Sequence, residues 1–190
     1  MKPILFSTEM VQAILEGRKT QTRRVVKGID KPDEWEAVND CRIVNESDVP
    51  CYIVRRKAIE AMGIHYPKYD VGDVLWVRET WMKSEYCYIY KNAEPYLAGK
   101  PIWKPSIFMP KEAARIFLKV TNVRVERLRK ISLYDVWDEG TPQMPGNNDA
   151  DGAVGHEDFI YLWDSINAKR GYGWETNPWV WVYTFKRMEV

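Results

Sequence analysis

Two segments alternate residue by residue, and this limits the fold more than any other feature of the sequence. Within Arg115 to Leu128, Val123, Val125 and Arg127 fall on one side, and Arg124, Glu126 and Leu128 fall on the other. Within Trp179 to Phe185, aromatic residues alternate with aliphatic or polar ones. A period of two belongs to extended chain, because successive side chains of a strand leave on opposite faces. The first segment reads as a long strand that bends, and the second as a closing strand. Val74 to Arg78, fed by a Gly-Asp turn, reads as a third strand, with Tyr86 to Tyr90 as its antiparallel neighbour.

Helices are few. Thr8 to Gly17 carries a capping threonine, an acidic first turn and a terminal glycine, with Met10, Ala13 and Ile14 on one face. Ser132 caps a short helix from Leu133 to Glu139, closed by Gly140. Phe159, Leu162, Trp163 and Ile166 follow helical spacing. With no internal repeat and no change of composition along the chain, residues 1–190 read as a single α+β domain. It is built on a small, curved, mostly antiparallel sheet or barrel flanked by short helices. Residues 28–70 lack periodicity and read as an insertion or lid, with turns and a short hairpin. Residues 141–155 read as a flexible, mildly acidic loop.

Charge narrows the partners. Lys and Arg number 28 against 27 Asp and Glu, a net +1, so a polyanion can be held only by a local patch. That patch is Arg18 to Lys27, where five of ten residues are cationic. The three cysteines fit no zinc spacing, and only His65 and His156 could supplement them, so no metal and no cofactor is expected. No apolar run approaches the roughly 18 residues of a membrane span, and none suits a signal peptide. The expected setting is the reducing cytoplasm. Glycine-rich phosphate loops, dinucleotide fingerprints and serine-hydrolase elbows are absent, and two histidines make a histidine-based triad improbable. Lysine is the remaining candidate base.

Lys19 and Thr22 lie three residues apart just beyond a helix end, where the chain can bend them together. A lysine driven towards neutrality can deprotonate a hydroxyl. The other readings are solvated cations on a turn, or a phosphate patch with Arg18, Arg23 and Arg24 as forked donors. Nine tryptophans and eleven tyrosines exceed what folding needs, so either the core is unusually aromatic or some rings face a flat ligand. Trp163 and Trp181 read as core. Trp76, Trp81 and Trp103 are the candidates for stacking on a base. Glu79 is a second carboxylate candidate, or the partner of Arg78 or Arg24. Ser106 is a candidate phosphate or sugar contact, or a residue that satisfies its own turn.

Ile14-Leu-Glu-Gly-Arg-Lys-Thr-Gln-Thr-Arg-Arg24, then Gly72-Asp-Val-Leu-Trp-Val-Arg78 and Trp137-Asp-Glu-Gly140, resemble the ASCH domain family, whose fold is related to the PUA domain. Asn177 to Phe185 and Lys104 to Pro110 further resemble ASCH proteins of bacteriophages and prophages. The resemblance implies a small β-barrel with a cleft beneath the Gly-Arg-Lys-Thr turn, and a role with RNA or modified nucleosides, with DNA as a further partner. Family members include amidohydrolases that remove the acetyl group from N4-acetylcytidine, and a ribonuclease. Carried over by position, the amidohydrolase residues fall on Lys19, Thr22 and Glu139, with Arg24 on the trailing arginine. Two rival expectations are a non-catalytic module that reads RNA or modified bases, and a ribonuclease. Glu139 could also be a solvent-facing helix end.

Overall fold

The structure, a computed structural model, describes residues 1–29, 33, 35–39, 52–56, 65–93, 101–141 and 153–189. Its centre is a mixed five-stranded sheet of β1 (Lys2–Leu5), β2 (Gln21–Val25), β5 (Val74–Arg78), β8 (Phe117–Arg127) and β9 (Trp179–Met188), in the order β1-β5-β8-β9-β2. β1 runs parallel to β5, and the other neighbours are antiparallel. The two alternating segments are thus the adjacent central strands. Their register shifts between Val120 and Asn122, a bulge within the long strand.

Alternation in β9 works on both faces. Trp181, Tyr183 and Phe185 enter one core with Met10, Val11 and Ile14 of α1 (Thr8–Leu15). Val180 and Val182 enter a second core with Val136 of α2 (Leu133–Asp138) and Phe159 and Trp163 of α3 (Ala153–Asn167). Each such large apolar side chain contributes about 1.5–3 kcal/mol on burial. The sheet is therefore covered by α1 on one face and by α2 and α3 on the other.

Several expectations are corrected. Ser7, not Thr8, caps α1, because Ser7 has the extended backbone of a cap and its hydroxyl accepts from the Met10 amide. Tyr86 to Tyr90 does not extend the sheet beside β5. β7 (Tyr88–Tyr90) pairs with β6 (Trp81–Lys83) as a separate hairpin, closed locally by Ser84, whose hydroxyl accepts from the Tyr86 and Cys87 amides. The Glu79 amide donates to the Met109 sulfur, outside any ladder, so the chain leaves the main sheet there.

In the stretch read as an insertion, β3 (Trp35–Asn39) and β4 (Tyr52–Arg56) form a hairpin, and buried Trp35 joins the first core. Residues 40–51 and 57–64, with Cys41 and Cys51, lie outside the described residues. So does 142–152 of the expected loop, and helix α3 already begins at Ala153. Among the described residues no helix is long and apolar enough to cross a membrane.

Candidate functional site

β2 is an edge strand, and its outer side borders a cleft of about 420 Å³. This lies in the size range of small-molecule sites. The cleft is built from both sides of β2. In the pairing with β9, Thr22 stands opposite Tyr183 and Arg24 opposite Trp181, on the face of the first core. Arg23 stands opposite Val182, on the face that α2 and α3 cover.

The turn leading into β2 is pinned on three sides. The Lys19 amide donates to Ala13 of α1, the Thr20 amide to Asp138 at the end of α2, and the Phe185 amide of β9 to the Thr20 carbonyl. Gly140 allows this approach. It has φ +77°, and a Cβ there would lie 2.8 Å from both Ala13 Cβ and Lys19 Cβ. This brings the end of α2 against Lys19. The Lys19 ammonium donates to the Glu139 carbonyl at 2.6 Å and to its carboxylate at 2.9 Å, although the two residues are 120 positions apart.

Glu139 is buried, which excludes the solvent-facing helix end. Its second carboxylate oxygen accepts from Arg23 at 3.1 Å, and Arg23 also pairs with Glu126 and Asp135. Arg124 completes the seam by bridging Glu126 and Asp135. Removing water from these ions is costly, and reciprocal pairing offsets that cost. Burial lowers the pKa of Lys19 below the ordinary lysine value. The Glu139 carboxylate opposes this shift, and the charges of Arg24 and Arg23 add to it.

Thr22 is buried, lines the cleft, and has no side-chain hydrogen bond among the described residues. Phe6 closes one wall, with the Lys19 ammonium 5.6 Å and the Arg24 guanidinium 5.4 Å from its ring centre. Arg24 also donates to the Leu5 carbonyl at 2.8 Å. Phe159, Trp163 and Tyr172 supply rings on the opposite side. A hydroxyl, a lysine of lowered pKa and a carboxylate that holds it therefore share one ring-walled cleft.

Of the residues singled out in the sequence, Lys19, Thr22, Arg23, Arg24 and Glu139 line this cleft. The others do not. Arg18 turns away to Glu16 and the Gly140 carbonyl. Trp76 is buried beside Arg78, and Trp81 packs with Met109 and Ala113 while its backbone bridges to Lys104. Trp103 is half-buried beyond the cleft lining. Glu79 is clamped through both carboxylate oxygens by Arg115, not by Arg78 or Arg24. Ser106 opens a short turn in which its carbonyl accepts from the Met109 amide.

The rings that border this cleft are Phe6, Phe159, Trp163 and Tyr172. Trp163, read as core, is buried and also borders the cleft. Lys27, the last residue of the cationic stretch, also lines the cleft, and Arg170 was missed. Arg170 continues the helical spacing of Ile166 by four residues, which is the signal that could have found it. Among the described residues no group of three or more His, Cys, Asp and Glu is placed to hold a metal ion. Comparison with protein families, curated proteins and solved structures finds no match to this chain.

Proposed function

We propose that the cleft binds the base of a modified nucleoside and that the protein is an amidohydrolase acting on N4-acylated cytidine. The observation that carries this reading is the meeting of Lys19, Thr22 and Glu139, from two distant segments, in one cleft with aromatic walls. The resemblance to ASCH domains belongs to the same reading. So does a barrel-like closure of the sheet, supported by Arg24 reaching from edge strand β2 to the Leu5 carbonyl at the end of edge strand β1. A cytoplasmic setting is part of it too.

In this mechanism neutral Lys19 accepts the Thr22 proton as the hydroxyl oxygen bonds to the acyl carbon. Arg24 faces the developing oxyanion. Collapse breaks the bond to N4, and Lys19 returns the proton to the leaving amine. A water then adds to the acyl ester with Lys19 again taking its proton, which releases the carboxylic acid and restores Thr22. Glu139 holds Lys19 in position throughout. The lowered pKa of Lys19 supports its work as a base.

Chromatography of N4-acetylcytidine incubated with the protein tests the reading. Turnover that is lost in Lys19→Ala is expected, and no turnover above that variant at high enzyme concentration would overturn it. One observation favours a second reading, a non-catalytic base-binding module: Lys19 already donates to two Glu139 oxygens and Arg23 holds the same carboxylate, a closed set of ions. A binder keeps its affinity in Thr22→Ala and turns nothing over.

A further inference from the structure

We infer that the ligand of this cleft carries a phosphate, so that a nucleotide rather than a neutral nucleoside is the species it takes. The inference rests on the nucleobase reading above and adds a charge to it. Among the described residues, the cleft is lined by five cationic side chains, Lys19, Arg23, Arg24, Lys27 and Arg170, against one carboxylate, Glu139. Lys19 and Arg23 are both tied to that carboxylate. Arg24, Lys27 and Arg170 form no ion pair with any described residue.

Arg24 serves the oxyanion in the proposed reaction, which leaves Lys27 and Arg170 for the phosphate. Lys27 follows the end of β2, and Arg170 ends the turn that continues α3, and both are exposed at the cleft's rim. Lys27 and Arg170 line the same cleft as the apolar side chains Leu162, Trp163 and Ile166. A neutral nucleoside leaves these charges unanswered, whereas a phosphate answers them with charge and with acceptors that suit an arginine fork. The whole chain carries only +1, so the excess is local to this cleft and not a share of a generally basic surface.

The phosphate could belong to a free mononucleotide or to a nucleotide within a strand. Calorimetric titration of the full-length Thr22→Val chain, which lacks the proposed nucleophile, with N4-acetylcytidine, its 5′-monophosphate, ribose 5-phosphate and a short oligocytidylate separates the cases. The monophosphate is expected to bind at least about tenfold tighter than the nucleoside, the worth of one charge-assisted hydrogen bond. That gap should shrink as salt rises from about 0.05 to about 0.5 M.

The gap, read as the ratio of the two affinities, should also close in the double variant Lys27→Ala/Arg170→Ala. Equal affinity for nucleoside and monophosphate overturns the inference while sparing the nucleobase reading, and so does a gap that survives the double variant. Ribose 5-phosphate binding as tightly as the nucleotide overturns both, because the base would then contribute nothing. Binding of none of the four overturns both. A preference for monophosphate or for oligocytidylate supports the inference and identifies the source of the phosphate.

Discussion

Glu139 has two oxygens and two cations to hold, and each oxygen has its own partner. Glu139→Gln keeps the shape and removes the charge, leaving Lys19 and Arg23 buried with less compensation. A loss of about 3 kcal/mol in urea unfolding is expected, the usual cost of breaking a buried pair from one side. Thr22 makes the opposite case. Its hydroxyl has no partner among the described residues, so isosteric Thr22→Val should change stability by less than about 0.5 kcal/mol while abolishing turnover of the acylated nucleoside. Denaturation curves and the chromatographic assay, run on the same preparations, check both.

Much of this was legible residue by residue, for physical reasons that differ. Lys19 and Thr22 are neighbours in sequence, so their proximity needs no knowledge of the fold. Glu139 could be reached only through resemblance, because its contact with Lys19 spans 120 residues. Periodicity places Trp163 and Trp181 in the cores, where they lie, but it distinguishes faces and does not tell on which face a cleft will open. Trp76 and Trp81 pack into the protein, and buried Trp163 also edges the cleft.

At the scale of elements, α2 links a helix cap to the cleft. Ser132 and Asp135 form a reciprocal capping box at its start, and Glu139 is the residue that ends it. Asp135, like Glu126, is also an acid shared by Arg23 and Arg124. Burial alone would raise its pKa, but hydrogen bonds from Gln21 and Ser132 and the charge of Arg23 hold it well below the usual carboxylate range. The folded value lies below the ordinary 3.8, so the stabilisation is complete above that pH and is lost as pH falls below it. Acid titration of the folded signal should therefore show a shallower loss below about pH 4 in Asp135→Asn than in the wild type. Equal slopes would mean that another carboxylate dominates.

The strands were legible as strands for the reason β9 illustrates. Val180 and Val182 face one core, and Trp181, Tyr183 and Phe185 face the other, so alternation in type records alternation in direction. Partner choice was not legible. Nothing local in Lys2 to Leu5 announces a parallel pairing with Val74 to Arg78, which closes only after a long excursion of chain. Nor does Tyr88 to Tyr90 reveal that a nearby turn will draw it to Trp81 rather than to the main sheet.

For the whole molecule, the apolar cores lie on the two faces of the sheet, and the ionic seam lies at its β2 edge, between Lys19, Arg23 and the end of α2. Such seams are often no more stable than hydrocarbon of equal volume. The paired replacement Lys19→Met with Glu139→Leu removes both charges together and leaves Arg23 its bonds to Glu126 and Asp135. Its melting temperature is expected to equal or exceed that of the wild type, with turnover and base binding gone. A fall of several degrees would show that the pair stabilises the fold on its own account. Durability and use thus pull in opposite directions at this edge. A laboratory selection for heat tolerance alone should enrich hydrocarbon at positions 19 and 139, and a selection for ligand capture should keep the lysine and the glutamate.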